Sequence, residues 1–175
     1  RGLLLTEPLI LEGEFEAGLY TSPSNKKALS SANFDSLNHL SGVSNRNWEK
    51  DWALLESMNL KHIHHTLHWI SMAKMVAAQR VDFVLAPFPP RSDLIIKVNE
   101  IELIPIPGLK VHLAGSRRWI VSARHSQGQQ AYDAIQKGLR QLRERGVVTR
   151  AYIESGFFNG LTQNWSRYQQ KARQQ

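Results

Sequence analysis

The segment Gln79-Arg80-Val81-Asp82-Phe83-Val84-Leu85-Ala86-Pro87 carries the clearest strand signal in the chain. Its apolar run, residues 81–86, is rich in β-forming residues, and prolines at 87, 89 and 90 end it. A short apolar run bounded by turn residues is typical of a strand buried on both faces. The pattern therefore predicts a central strand.

The helix before this strand is equally well marked, and it is predicted to begin after Thr66, which can cap it. Its core-facing stripe has helical spacing and consists of Trp69, Met72, Ala73 and Val76. An earlier helix is predicted after Asn47, again as its cap, and it should end near Asn59.

Strands and helices alternate along the rest of the chain. Further strands or extended segments are predicted at 3–11, 14–21, 42–44, 60–66, 110–114 and 119–123. Further helices are predicted at 34–40, from Ser126 to a C′ glycine at 146, at 148–154 and in the tail from Gln163. This alternation favours an α/β fold with a mostly parallel sheet and helices on both faces.

Residues 101–107 are extended but contain two prolines. Proline cannot donate a hydrogen bond to a neighbouring strand, so the segment is predicted to be an edge strand or a connector.

The composition of the chain excludes several classes of function. The chain has 175 residues, 42% hydrophobic and 21% charged, which suffices for one domain or two small lobes. It contains no cysteine, which excludes disulfides, thiolate metal sites and cysteine nucleophiles. Motifs for a nucleophile elbow, a zinc protease or a phosphate loop are absent from the sequence. These absences favour a protein that is not an enzyme and needs no cofactor.

The net charge of +7 is unevenly placed. Residues 1–115 carry 11 basic and 12 acidic side chains, whereas residues 116–175 carry 11 basic and 3 acidic ones. In residues 116–175 the basic side chains do not alternate with aromatic ones on which nucleic-acid bases could stack, and the sequence shows no DNA-recognition helix. We therefore expect a solvated helix face and no nucleic-acid partner.

Four histidines lie close together, at His62, His64, His65 and His68. The run crosses from a predicted strand into a predicted helix, so its side chains point in different directions, and it holds no acidic partner. Surface histidines are favoured over a metal site, and no metal is expected.

Taken in order, several segments resemble bacterial extracellular solute-binding proteins of family 3, the substrate-binding components of ABC transporters for polar amino acids. The segments that carry the resemblance are 33–37, 40–43, 54–60, 71–78, 79–85, 120–122, 132–135 and 142–146. The resemblance covers residues 1–158 and implies a type II periplasmic binding protein-like fold, with two α/β lobes joined by a hinge. Residues 1–21 and 116–175 would form parts of lobe 1, and residues 22–115 would form lobe 2. The first lobe would be incomplete, because the family's N-terminal part has no counterpart here.

The resemblance also implies where a solute binds, namely in a cleft between the lobes. The matching ligand residues are Arg1, Tyr20, Ser22, Asn45, Arg46, Asn47, Trp48 and Phe88. Asparagine and arginine can donate to a carboxylate, and Trp48 can stack on an apolar or cationic group. A helix cap with a core tryptophan explains residues 45–48 equally well, and ordinary packing or solvation explains Tyr20, Ser22 and Phe88.

One departure from the family concerns the acid that holds a ligand's α-ammonium. The corresponding position here is Pro87, and an unpaired buried ammonium is costly, so ordinary α-amino acids are not expected to bind. Asp82 resembles the structural acid of the preceding strand instead.

The function that the resemblance implies is capture or sensing of a small polar or anionic solute in the periplasm. A membrane permease or receptor would be the partner, and an exposed lobe 1 surface would favour a dimer. The alternative is the effector-binding domain of a transcription regulator or another sensor, which a DNA-binding helix pair in the full gene would reveal.

Overall fold

The computed structural model describes residues 2–9, 16–60, 62–113, 118–155 and 160–168. They belong to two compact units. Unit 1 consists of Arg1–Phe15 and Gly115–Phe158, and unit 2 of Glu16–Ala114 and Asn159–Gln175. The lobe boundaries expected from the resemblance, at 21/22 and 115/116, stay a prediction. No helix within the described residues is long and apolar enough to cross a membrane.

The elements are numbered in chain order. The strands are β1 (Leu3–Leu5), β2 (Glu16–Thr21), β3 (Ser41–Asn45), β4 (His62–Thr66), β5 (Phe83–Pro87), β6 (Ile96–Val98), β7 (Ile101–His112), β8 (Ile120–Ser122) and β9 (Ser166–Arg167). The helices are α1 (Lys26–Leu29), α2 (Glu49–Ser57), α3 (Trp69–Ala77), α4 (Gly128–Glu144) and α5 (Val147–Glu154). Short 3-10 turns cover Asp35–Leu37 and Gly160–Thr162.

Unit 2 is built on one sheet with the strand order β4-β3-β5-β2-β7-β6, and β9 pairs with β7. Strand β3 is parallel to both β4 and β5, whereas β2 is antiparallel to β5 and β7. The sheet is therefore mixed. The expectation of a mostly parallel sheet was wrong, because β2 runs against its neighbours β5 and β7, and β6 runs against β7.

The core of unit 2 confirms the apolar patterns. Met72, Ala73 and Val76 of α3 are buried against Val43 and Val84, and Trp69 packs against the same cluster. Helix α2 buries Leu55, and Asn59 follows it with a φ of 57°, a left-handed conformation that ends a helix. The strand predicted at 81–86 is β5, buried except at its last residue.

The prediction for residues 101–107 was wrong, since β7 lies inside the sheet between β2 and β6. The two prolines fit because the pairing is interrupted around them. Strand β6 pairs only as far as Leu103 and β9 only from Leu109. On the other side the register with β2 shifts between Gly18 and Tyr20, so Pro107 falls in the irregular stretch, whereas Pro105 lies opposite Tyr20.

Three predictions of local structure were also wrong. The N-cap residues of α2 and α3 are Trp48 and His68, not Asn47 and Thr66, and neither makes a side-chain cap hydrogen bond. Helix α4 begins at Gly128 rather than at Ser126. The described part of the tail is a turn and strand β9, with no helix in residues 163–168.

Unit 1 contains a two-stranded antiparallel sheet, in which β1 pairs with β8. Helix α4 approaches β8 closely, because a Cβ at Gly128 would lie 1.9 Å from the carbonyl oxygen of Ser122. Gly146 follows α4 with a φ of 68°, which confirms the predicted C′ glycine.

Candidate functional site

The strand order of unit 2 creates a switch point between β3 and β5. The chain leaves β3 through α2 to reach β4 on one side, and it returns through α3 to reach β5 on the other. Right-handed crossovers in opposite directions place these two helices on opposite faces of the sheet. Ligands of open α/β sheets bind outside the carboxyl ends of the strands at such a point. We call residues 45–48, 66–69, 87 and 88 the binding edge.

The segment after β3 is held by Asn45, which is buried. Its Nδ2 donates to the Leu67 carbonyl oxygen at 2.9 Å, and its Oδ1 accepts from the Asn47 amide at 2.9 Å. Asn45 therefore ties the loop after β3 to the loop after β4. The neighbouring side chains of Arg46 and Asn47 are exposed, and Trp48 is 41% exposed.

Two helices begin at the binding edge without side-chain caps. The first amide groups of an uncapped helix lack intrahelical partners and carry partial positive charge. Arg46 adds a full positive charge beside α2. The first turn of α3 holds no acidic residue, whereas α2 begins with Glu49 and Asp51 in its first turn, so the α3 amide groups and Arg46 are the donors suited to a small anionic group.

The segment after β5 contributes an aromatic wall. The ring of Phe88 lies 6.3 Å from that of Tyr20 and 5.5 Å, edge-on, from that of Trp165. Gly18 leaves room for it, because a Cβ there would approach Phe88 Cε1 to 2.6 Å. Phe88 is thus half-buried between the sheet and Trp165.

Two further predicted ligand residues are not part of the binding edge, although Tyr20 packs against Phe88. Tyr20 is fully buried; its hydroxyl donates to the Leu94 carbonyl oxygen at 3.0 Å, and burial raises its pKa. Ser22 follows the far end of β2 and lies 2.9 Å from the Ser24 hydroxyl. The register of β2 with β5 and β3 puts Ser22 level with Ser41, which is offset from Asn45 by about 13 Å along the strand direction at 3.3 Å per residue. Arg1 lies outside the described residues.

Asp82 has the structural role that the sequence suggested. Its Oδ2 accepts from the Ser41 amide at 2.7 Å and from the Ser41 hydroxyl at 3.0 Å, and its Oδ1 accepts from Asn25 Nδ2 at 3.2 Å. Partial burial raises the pKa of this carboxyl, but these hydrogen bonds outweigh the burial and lower it overall.

A charged cluster around Glu16 was missed by the sequence analysis. The Glu16 carboxylate lies 3.0 Å from Lys110 Nζ, 3.2 Å from Arg167 Nη2 and 3.4 Å from His112 Nε2. Burial raises the pKa of the Glu16 carboxyl, but the hydrogen bond and the charge of Lys110 lower this pKa overall. For His112, burial and the positive charge of Arg167 both lower the pKa of the imidazole. No local pattern could reveal this cluster, because Glu16 and Lys110 are 94 residues apart.

The histidines of β4 and of the α3 N-cap are exposed. Within the described ranges, no group of three or more histidine, cysteine or acidic side chains is placed to hold a metal ion.

Comparison with solved structures identifies the fold. An arginine transport system periplasmic binding protein from Legionella pneumophila superposes with a TM-score of 0.59 at 15% identity over 88% of this chain. An amino acid ABC transporter substrate-binding protein from Streptococcus pneumoniae, bound to L-arginine, gives 0.54 at 12% identity over 91%. The GluR0 ligand-binding core with L-glutamate gives 0.51 at 14% identity over 92%. No protein-family model and no curated protein matches the sequence.

The fold is therefore the type II periplasmic binding protein fold, which confirms the architecture expected from the resemblance. This chain spans 65%, 63% and 65% of the lengths of those three proteins, in the same order. By their descriptions, the three proteins bind or transport small solutes.

Proposed function

We propose that this protein binds a small polar or anionic solute at the binding edge of unit 2 and performs no chemistry on it. The observation that carries the proposal is the switch point between β3 and β5, where exposed Arg46, Asn47 and Trp48 stand at the end of one strand and Phe88 at the end of the other. The fold supports the proposal, because similar structures include an arginine-bound and a glutamate-bound protein.

The polar groups at the edge suit an anionic end of the solute. The uncapped N-terminus of α3, which has no acidic residue in its first turn, and the guanidinium of Arg46 offer donors and positive charge. Pro87 supplies no carboxylate where an α-ammonium would need one. The solute class is therefore a small organic acid, or another polar compound whose cationic group does not require a buried acid.

The periplasm and an ABC permease are the proposed setting, by analogy with the Legionella protein. A sensing role is the second candidate, and it is favoured by the likeness to the GluR0 ligand-binding core. Both roles require the same solute site, so solute binding is the first property to test.

The test is a thermal-shift screen of the purified protein against organic acids, amino acids, polyamines and small peptides, with hits confirmed by calorimetry. A solute held at 100 times its dissociation constant adds about 2.7 kcal/mol to the free energy of unfolding. We expect an organic acid to raise the melting temperature and Arg46→Ala to weaken its affinity about tenfold.

A matched control is Arg80→Ala. This substitution removes the same charge from an exposed arginine of the same unit, but Arg80 lies before β5, at the opposite end of the sheet. The affinity of the Arg80 variant should equal that of the wild type. Equal losses in the two variants would show a general charge effect instead of a site, and the absence of any hit would contradict solute binding.

A further inference from the structure

The C-terminal segment, defined as residues 160–168, folds back onto unit 2. Strand β9 pairs in parallel with β7, with Ser166 opposite Leu109 and Arg167 opposite Lys110. The Tyr168 amide donates to the Lys110 carbonyl oxygen at 3.0 Å, and the Tyr168 hydroxyl donates to the Ser57 carbonyl oxygen at 2.6 Å. A two-residue strand contributes few hydrogen bonds, so side-chain contacts are needed to hold the segment.

Glu16 supplies such contacts. Its Oε1 accepts from Arg167 Nη2 at 3.2 Å, and its Oε2 lies 3.5 Å from Thr162 Oγ1, so one carboxylate reaches both ends of the C-terminal segment. The same carboxylate pairs with Lys110, whose side chain is only 6% exposed. Among the described residues, Glu16 is the acid that pairs with Lys110 and Arg167, so its loss would leave these two cations facing one another, which disfavours their present arrangement.

The C-terminal segment also reaches the binding edge. Trp165 lies between the two residues that Glu16 contacts, and its ring packs edge-on against Phe88 at 5.5 Å. Phe88 directly follows β5 and forms one wall of the edge. A change in how the segment is anchored is thus transmitted to Phe88 through one aromatic contact.

We propose that Glu16 is a positioning residue for solute binding: its carboxylate anchors the C-terminal segment on β2 and β7, so that Trp165 holds Phe88 in place at the binding edge. The inference rests on the proposed function, because it concerns the affinity of that same site. Glu16 itself is engaged by Lys110 and Arg167 and is not assigned a contact with the solute.

The experiment compares Glu16→Gln, Glu16→Asp and Trp165→Ala with the wild type by two measurements. Amide hydrogen exchange in the absence of solute reports how well residues 160–168 are anchored. Calorimetry with the best solute from the screen reports affinity. Trp119→Ala is the control, because Trp119 is an exposed tryptophan of unit 1.

We expect Glu16→Gln to speed exchange in residues 160–168 at least tenfold, to leave α3 unchanged and to weaken solute affinity about tenfold. Trp165→Ala should weaken affinity similarly, and Glu16→Asp should recover part of both losses. If Glu16→Gln fails to fold because Lys110 is left buried without a partner, the double variant Glu16→Gln/Lys110→Met removes both charges and should show the same two effects.

If the wild type binds a solute, two results overturn the inference. If Trp165→Ala and the folded Glu16 variant bind solute as tightly as the wild type, the C-terminal segment does not position the site, whatever the exchange shows. If affinity falls but exchange in residues 160–168 stays unchanged, Glu16 does not act through the segment. A wild-type protein that binds no solute in the screen contradicts the proposed function. The inference is then contradicted as well, because it concerns the affinity of the same site.

Discussion

At the residue scale, Asp82 shows how a single side chain fixes the start of two strands. It precedes β5, and its carboxylate holds the first residue of β3 through the Ser41 amide and hydroxyl, while Asn25 holds its other oxygen. Asn25 also caps α1, because its Oδ1 accepts from the Ala28 amide at 3.1 Å. The non-binding end of the sheet is therefore a hydrogen-bonded junction of three elements.

We expect Asp82→Ala to lower the free energy of unfolding by about 1–3 kcal/mol, since it leaves partly buried donors without an acceptor. Because the pKa of Asp82 is lower in the folded state than its unfolded value of about 3.9, its ionised form contributes stability above that pH, and the contribution is lost as the pH falls through the folded pKa. Urea denaturation between pH 3 and 7 measures both effects.

The control is Asp35→Asn, which changes an exposed carboxylate of the same unit. Its free energy of unfolding should stay within about 0.5 kcal/mol of the wild type. If Asp82→Ala were equally harmless, the hydrogen bonds around Asp82 would not be stabilising the junction.

At the element scale, α4 is positioned by a glycine. Its hydrophobic face is only partly covered, since Leu139 is buried while Leu142 is 43% exposed. Its contact with β8 depends on Gly128, where any side chain would overlap the Ser122 carbonyl oxygen. Glycine has a low helix propensity, but Gly128 is required here because α4 packs closely against β8.

Two substitutions in α4 separate packing from propensity. Gly128→Ala should destabilise the protein by about 1–3 kcal/mol, because the new methyl group meets backbone that cannot move aside. Gly138→Ala, in the same helix and with no heavy atom of the described residues within 4 Å of the added Cβ, should stabilise it by up to about 1 kcal/mol. Thermal unfolding of the two variants measures the difference, and equal effects would contradict the close approach of α4 to β8.

At the scale of the whole molecule, unit 1 presents an apolar surface. Leu3 and Leu5 of β1 and Ile120 of β8 share one face of the small sheet, with exposures of 67%, 55% and 63%. A two-stranded sheet with an open apolar face is marginally stable by itself. The dimer expected from the sequence would cover this apolar surface, and dimerisation through this face stays a proposal.

We expect the double variant Leu5→Glu/Ile120→Glu to shift sedimentation toward the monomer if two copies meet on this face, because charges would then be buried in the contact. The control, Leu67→Glu, alters a leucine of unit 2 that is 54% exposed and should leave the mass unchanged. A wild-type chain that sediments as a monomer at high concentration would exclude the dimer.

The family resemblance implied the structural role of Asp82, and the sequence by itself determined the α/β class, the positions of β3, β4, β5, α2, α3 and α5, and the end of α4. These depend on periodicity and on local turn chemistry, which neighbouring residues define. Only the tertiary structure decided that β7 lies within the sheet despite its prolines, that Ser22 and Asn45 lie at opposite ends of it, and that Glu16 collects Lys110, His112 and Arg167. The physical reason is that these facts follow from strand order and register, which join distant residues; the Glu16 contacts, for example, join positions 94 and 151 residues apart.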